Sequence, residues 1–588
     1  MRRRHLALVA LVTVTGCAGS RSGVVAAPPA PAPRVADSAA RPVPPPGSAE
    51  TKPSAPGVDV ARARAANPAQ LFAWEPWSKE TFARAVREHR FILLHGAAEW
   101  CHWCHVMEAV TYRDPEVGKL LRERFVAIRV DIDERPDIGE RYGEWGWPAT
   151  ILFSPEAAEL GKFRGFIPPD QLLEALKSVT TQTAPGADRA TAGVEAATEP
   201  GPHSAPPAAL AWIEDDLTSE LDAYYDAEQG GWGKRQKSPL GDNAAFEVRR
   251  AEKGDDAALG RAVFSLERQR ALMDPVWGGL YQYSVGGTWA EPHYEKLMTI
   301  QASNLEAYAT VAAASHHADL LASAEDIVRY VARFLTSKDG TFYTNQDADL
   351  GAHDPKAAFV DGKTYYSKDE AARLALGVPW VDEHVYAHEN GLMVAALVAL
   401  YETSKDQKTL LMATKAADAL LRTHVASDGS VRREATSNDD VRYLVDAVSL
   451  GRGLARLSSA THDDRYLVSA EKIATRALAA FAAPGGALFD RTLDANAQGA
   501  FAHRLQPFEQ NVLAARFLVA LGRVSRLTTW QGEAKRVLAA ISTPRALGAQ
   551  GRLLGAYLLA VDDVTHEPPT PPPARVPASH TATAAPHH

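Results

Sequence analysis

Four glycine turns set beside aromatic residues punctuate the C-terminal part of this chain: Gly230-Gly231-Trp232, Gly278-Gly279-Leu280-Tyr281, Asp339-Gly340-Thr341-Phe342-Tyr343 and Gly485-Gly486-Ala487-Leu488-Phe489. Apolar residues between them recur at helical spacing. Met393, Ala396, Leu397, Leu400 and Tyr401 fall at i, i+3, i+4, i+7 and i+8; Ile327, Val328, Val331, Phe334 and Leu335 follow much the same pattern, as do Leu513, Phe517, Ala520, Leu521 and Val524. A helical hairpin repeated with a similar loop predicts an all-α ring of hairpins, an (α/α)6 toroid, over residues 208–563. Roughly 350 residues suits twelve helices of ordinary length with their connections. Closure of such a ring depends on contacts between distant segments, which periodicity does not report.

A chain of 588 residues exceeds one hydrophobic core, so a second domain is expected. Residues 71–180 supply it. Glu80 to Arg90 reads as a helix and Phe91-Ile92-Leu93-Leu94 as a buried strand. Asp114-Pro115 is a cap followed by a first-turn proline, and Phe125 to Ile132 alternates as a strand. Ala149 to Phe153 is another strand, and a helix from Asp170 to Val179 closes the unit. Strands alternating with helices predict a small α/β domain.

The rest of the chain is tether and leader. Residues 18–70, with Pro44-Pro45-Pro46, are too poor in large apolar side chains to fold, and so are the linker 181–207 and the tail 564–588. Arg2-Arg3-Arg4 and the short apolar run Leu6 to Gly16 read as an export signal over residues 1–17. The run ends in Val14-Thr15-Gly16-Cys17, which resembles a bacterial lipobox. That resemblance implies cleavage before Cys17 and lipidation of its sulfur. No aspartate follows Cys17, so the expected address is the outer membrane facing the periplasm, with the membrane contacted through the lipid alone. Sixty-three basic against 72 acidic residues, without a basic block, argue against nucleic acid as a partner.

If Cys17 is lipidated, Cys101 and Cys104 of Cys101-His102-Trp103-Cys104-His105 are the remaining thiols. A helix is read from Cys104, and a strand that delivers Cys101 to its N-terminus places the sulfur near exposed N–H groups and the positive end of the helix dipole, which favours thiolate. Cys101 is then the nucleophile and Cys104 the resolving thiol of a disulfide exchange. Trp147-Pro148 stands just before a strand, where thioredoxins keep a cis proline against the dithiol. His95 is a candidate proton acceptor for Cys104, with a hydrogen-bonded buried histidine as the plainer reading. His102 would stabilise thiolate if charged. The same five residues also fit c-type haem attachment, with His105 as axial ligand. That alternative needs an apolar haem pocket which a compact strand–helix unit does not offer. No second CxxC or regular histidine pair points to zinc. No cofactor is expected.

Longer stretches carry a family resemblance: Cys101-His102-Trp103-Cys104-His105-Val106-Met107-Glu108, Val130-Asp131-Ile132-Asp133-Glu134-Arg135-Pro136-Asp137-Ile138 and Gly146-Trp147-Pro148-Ala149-Thr150. Tyr283-Ser284-Val285 to Trp289, Pro292-His293-Tyr294-Glu295-Lys296, Asp347-Ala348-Asp349 and Asn390-Gly391-Leu392-Met393 continue it. Together they resemble the spermatogenesis-associated protein 20-like family, over most of residues 71–520. The resemblance implies a thioredoxin-like domain joined to an (α/α)6 domain similar to six-hairpin glycosidases and sugar epimerases. Trp145, Gln346, Glu389 and the segment Pro507-Phe508-Glu509-Gln510-Asn511 depart from the family pattern.

The toroid suggests a second site. Glu291, His293 and Glu295 with Asp347 and Asp349 would supply an acid and a base for sugar chemistry, and His384 and His388, at i,i+4 before a helix, a proton-transfer pair. The plainer reading is that these groups hydrogen-bond loops and cap helices. The favoured expectation is an exported thiol–disulfide oxidoreductase acting on a disulfide- or thiol-bearing protein or small molecule. The rivals are a carbohydrate-binding or carbohydrate-active toroid and a non-catalytic scaffold.

Overall fold

The computed structural model describes residues 60, 63, 70–143, 146–181, 205–354, 356–437 and 439–566. Cys17, Trp145, and most of the expected tether, linker and tail lie outside the described residues.

The N-terminal domain is thioredoxin-like. Its sheet runs β2-β1-β3-β4, with β1 (Phe91–Ala97) parallel to β2 (Phe125–Asp131) and antiparallel to β3 (Ala149–Phe153), which pairs antiparallel with β4 (Glu159–Arg164). Helices α1 (Lys79–Glu88), α2 (His102–Val110), α3 (Pro115–Arg124), α4 (Pro136–Tyr142) and α5 (Pro169–Thr181) surround it. The pleat divides the core into two layers. Ile92, Leu94, Val126, Ile128, Ile151 and Phe153 meet Phe82 of α1 and Ile138 of α4 on one face. Leu93, Phe125 and Leu152 meet Met107, Leu121, Leu172 and Leu176 of α2, α3 and α5 on the other. Each such buried side chain is worth about 1.5–3 kcal/mol. Asp114 caps α3 as its sequence implies, its Oδ1 accepting from the N–H groups of Glu116 and Val117 at 3.0 Å.

Three details differ from the expectation. Strand β1 continues three residues past Leu94, because His95, Gly96 and Ala97 stay in register with Arg129, Val130 and Asp131. Helix α2 starts at His102 rather than Cys104, because Cys101 is itself the N-cap, its Sγ accepting from the Cys104 N–H at 3.2 Å. Helix α4 and the polar, half-exposed β4 carry too little apolar periodicity to stand out in the sequence.

The C-terminal domain is the ring. Helices α6 (Leu210–Tyr224), α8 (Asp256–Gln269), α10 (Ala318–Phe334), α12 (Gln407–Thr423), α14 (Asp464–Ala480) and α16 (Thr528–Ile541) lie outside. The inner helices are α7 (Gly241–Glu252), α9 (Met298–Ser315), α11 (Ala387–Ser404), α13 (Leu444–Thr461), α15 (Phe508–Ser525) and α17 (Gly555–Thr565). Each inner helix packs on the next, and α17 packs back on α7, which closes the toroid. Inner helices meet protein on nearly every side. Accordingly α11 buries Met393 through Leu400 without a polar face, whereas outer α12 buries only a stripe from Thr409 to Leu420. Gly391 marks a close crossing, since a Cβ there would lie 2.4 Å from the Leu450 nitrogen of α13.

The glycine turns between outer and inner helices are closed by single β-bridges: Tyr225–Trp232, Met273–Leu280, Thr336–Phe342, Val425–Val431 and Ala482–Leu488. The turn at Gly429 carries no aromatic residue and escapes the sequence pattern. An amide in the first turn of three inner helices clasps the residue after such a turn. Gln301 holds both backbone groups of Leu280, Asn390 those of Phe342 and Asn511 those of Leu488, all between 2.7 and 2.9 Å. Buried lysines hold one further turn and reinforce another: Lys237 donates to Asp226 and the Gly230 carbonyl, and Lys296 donates to Asp274 and the Gly278 carbonyl of the turn that Gln301 also clasps. Lys296, Asn390 and Asn511 therefore have structural work in the ring.

Candidate functional site

Cys101 and Cys104 form a disulfide at the start of α2. It is not an open thioredoxin face. Cys101 is only 4% exposed and Cys104 fully buried, among Ala97, Ala98, Trp100 and Ile132, with Trp147 and Leu297 packed against them. The Trp147–Pro148 peptide is cis. Leu297 belongs to the ring, and it shows what covers the disulfide. Lys296–Leu297, Asn345–Gln346 and Val381–Asp382 pair into a three-stranded ladder leading into α9 and α11, and this end of the ring faces the CHWCH motif.

Polar groups fasten the two domains together around it. Asp133, just beyond β2, accepts from Trp100 Nε1 at 2.7 Å and from Asn345 Nδ2 of the ring at 2.9 Å. Arg433 donates to the Asp133 carbonyl from Nε at 2.6 Å and again from Nη2. Arg491 faces Asp137 at 3.4 Å, and Gln510 donates to Glu140 at 3.1 Å. Phe501 of the ring enters the thioredoxin-like core, 4.5 Å from Trp77 between ring centres. Two departures from the family pattern have partners here. Glu389 lies 3.7 Å from Arg433, and Gln346 accepts from the Tyr330 hydroxyl at 3.1 Å.

The histidines of the motif meet the carboxylates of the toroid. His102 Nδ1 sits 2.6 Å from Asp349 Oδ2. Burial alone would lower its pKa, but Asp349 beside it carries it up to about 9, so His102 is a cation at neutral pH. His105 is buried, with Nδ1 3.7 Å from Asp349 Oδ2 and Nε2 3.8 Å from Asp347 Oδ2. His353 bridges Asp347, 2.9 Å from Nε2, and Glu99, 3.2 Å from Nδ1, and its ring lies against Trp380. Against the pull of burial, these two carboxylates raise His353 to about 9. Glu295 is also buried there. Burial pushes its carboxyl up to about 7, moderated by the nearby His102 charge.

The two sites read separately from the sequence thus meet at one seam. Cys101, Cys104, His102, Glu295, Asp347 and Asp349 converge on it. His293 stacks on Tyr283 at 4.1 Å, and burial followed by the His102 charge lowers it to about 4. Glu291 is not drawn in: it is exposed, and its backbone closes a short ladder with Val285. His384 and His388 do not form a pair. His384, half-exposed before the helix, lies 2.5 Å from Asp382, and that contact raises it to about 9. His388 is already inside α11, with Nδ1 2.7 Å from Ser449 Oγ, and burial lowers it to about 4. His95 is buried at the centre of β1, with Nδ1 3.2 Å from the Tyr112 hydroxyl and Nε2 3.7 Å from Glu108; burial lowers its pKa. Its position suits the plainer reading, a buried histidine held by its neighbours. The disulfide leaves neither sulfur for a haem thioether. Sequence reasoning missed Glu99 and His353, which belong to no motif. His105, Asp347 and His353 could together hold a metal ion, their ligand atoms lying within 4.8 Å of one another.

Residues 61–183 match a thioredoxin/DsbH-like family described as a protein of unknown function, DUF255, and residues 287–528 match the beta-L-arabinofuranosidase GH127 catalytic domain family. Spermatogenesis-associated protein 20 of Homo sapiens is 30% identical over 308 residues, covering 47% of this chain and 39% of that protein. An uncharacterized protein of Caenorhabditis elegans is 25% identical over 329 residues, covering 52% and 45%. The matched stretch spans less than half the length of these relatives, and the chain is a homologue of the spermatogenesis-associated protein 20 proteins. Among solved structures, a D-mannose isomerase aligns at 12% identity with a TM-score of 0.45 over 60% of this chain and 96% of that one. A cellobiose 2-epimerase from Spirochaeta thermophila aligns at 12% with a TM-score of 0.43 over 61% and 98%.

Proposed function

We propose that the chain is a thiol–disulfide oxidoreductase that exchanges with a low-molecular-weight thiol or disulfide at the seam between its domains. The observation that carries this reading is the disulfide at the N-cap of α2, beside a cationic His102. In the reducing direction a partner thiolate attacks Cys101 Sγ, and the Cys101–Cys104 bond breaks with Cys104 leaving as thiolate. A second partner thiolate then releases the first as a disulfide, leaving a dithiol. The backbone N–H groups at the helix start and the His102 charge favour the thiolate of Cys101. The near-complete burial of Cys101 supports a small partner over a folded protein, which would need a docking surface around the sulfur. The test is exchange of the purified chain with glutathione and with a folded disulfide protein. Faster exchange with glutathione, lost in Cys101→Ser, is expected; exchange only with the protein disulfide would overturn the choice of partner.

On Arg2-Arg3-Arg4, the apolar run and Cys17, we also assign the chain a lipid anchor at the cell envelope, where disulfides persist. Palmitate labelling that survives Cys17→Ser would contradict this.

A carbohydrate role is the second reading, favoured by the match of residues 287–528 to the GH127 catalytic domain family. The thioredoxin-like domain covers the end of the ring that bears Glu295, Asp347 and Asp349, which argues against it. Turnover of a chromogenic β-L-arabinofuranoside by the intact chain, abolished in Glu295→Gln, would establish this reading.

A further inference from the structure

We propose that His105, His353 and Asp347 bind one divalent first-row transition-metal ion at the seam between the domains.

His105 is 4% exposed, and neither of its ring nitrogens has a hydrogen-bond partner among the described residues. A buried polar group left so costs about 1–3 kcal/mol, and such exceptions in folded proteins call for a reason. Its nitrogens are nonetheless aimed. Nε2 points at Asp347 Oδ2 from 3.8 Å, too far for a hydrogen bond. His353 Nε2 approaches the same oxygen at 2.9 Å from the other side. Metal bonds of about 2.0–2.2 Å place tetrahedral ligand atoms about 3.3 Å apart. The separations of 2.9 and 3.8 Å bracket that edge, and all the ligand atoms lie within 4.8 Å of one another. Small rotations of three side chains would let one ion sit between them.

The surroundings fit the same reading. A metal-bound imidazole normally gives its other nitrogen to a carboxylate, which fixes ring orientation and tautomer. His353 has one, Glu99 Oε2 lying 3.2 Å from its Nδ1, and Asp349 Oδ2 faces His105 Nδ1 from 3.7 Å, beyond hydrogen-bond reach until the side chains adjust. Asp347 is held as well, its Oδ1 accepting from the Asp349 N–H at 2.9 Å. Two imidazoles and one carboxylate suit zinc or iron(II) rather than calcium or magnesium, which prefer an all-oxygen shell. Three protein ligands leave a coordination position for water or a small ligand. His353 is exposed at the seam's edge and Trp380 beside it is 38% exposed, which supplies an entry path. Because His105 comes from the thioredoxin-like domain and the other two ligands from the ring, the ion would also tie the domains together. The inference does not rest on exchange chemistry at Cys101.

The test is a titration of the full-length chain, carrying Cys17→Ser, with Zn2+ after chelator treatment and with the disulfide kept oxidised so that no thiolate can bind. One equivalent of Zn2+ is expected, and Co2+ in its place should show visible ligand-field bands. Glu99→Gln, which removes only the carboxylate behind His353, should weaken binding by about 10–100-fold. His353→Ala and Asp347→Asn should each weaken it further. His353 is partly exposed, so that variant should keep the wild-type circular dichroism, and His384→Ala should keep the full affinity. No stoichiometric Zn2+ on the Cys17→Ser chain, or undiminished binding in both His353→Ala and Asp347→Asn, would overturn the assignment and leave an ion-pair cluster only.

Discussion

Two sets of buried polar groups in this molecule behave in opposite ways. In the ring, Gln301, Asn390 and Asn511 each close two hydrogen bonds to one backbone residue, and Lys237 and Lys296 each meet a carboxylate and a carbonyl. At the seam, both nitrogens of His105 and one oxygen of Glu295 have no hydrogen-bond partner among the described residues, although cations and carboxylates crowd around them. Satisfying such groups stabilises the fold, because each unsatisfied one costs stability, although single atoms elsewhere, such as Trp277 Nε1, Asp446 Oδ2 and His95 Nε2, also lack a hydrogen-bond partner. What distinguishes the seam is that its open groups cluster: both nitrogens of His105 face Asp347 and Asp349, with His353 on the same carboxylate. The contrast separates motif residues of equal prominence in the sequence: Lys296 and Asn390 are framework, whereas His105, Glu295 and Asp347 belong to the site.

Substitutions can break or sharpen this contrast. The largest effect is expected at the disulfide, where Cys101→Ser should abolish thiol exchange while the ring helices keep their thermal transition; residual exchange through Cys104 alone would blur the division. In the framework, Asn390→Ala strands the two backbone groups of Phe342, and a loss on the order of 2–4 kcal/mol is expected, with thiol exchange unchanged. Lys296→Met leaves Asp274 buried with Arg373 as its remaining cation and strands the Gly278 carbonyl. It should cost about 1–3 kcal/mol in denaturant unfolding. At the seam the effect is smaller and depends on pH. His102 has its pKa raised in the fold, so its contact with Asp349 contributes fully below its ordinary value near 6.5 and is lost as pH rises to about 9. Glu295, raised from 4.5 to about 7, adds a cost that grows over that interval and stays above it. Protease cleavage between the domains should therefore quicken from pH 6.5 to 9, and less so in Asp349→Asn.

Much of the architecture is legible in the sequence because it is local. The cap at Asp114, the strand entering the CHWC motif, Pro148 ahead of β3 and the helical stripes of the ring all rest on neighbours within a few residues. Ring closure, the Gly429 turn without an aromatic residue, and the insertion of Phe501 into the other domain do not. The candidate site is the extreme case. His102 and His105 lie far from Asp347, Asp349 and His353 in the chain, so spacing rules for metal or acid–base motifs have nothing to detect. The cysteines suggest an open redox face and the toroid carboxylates an open sugar site. Each reading supplies the partner that covers the other.

That convergence is tested most directly by the titration of His102, followed by NMR in histidine-labelled protein and assigned with His102→Gln. With Asp349 of the ring beside it, His102 should titrate near pH 9 in the wild-type chain and fall toward its ordinary value near 6.5 in Asp349→Asn. A His102 that titrates near 6.5 in both proteins would contradict the joining of the CHWCH motif and the toroid carboxylates in one site.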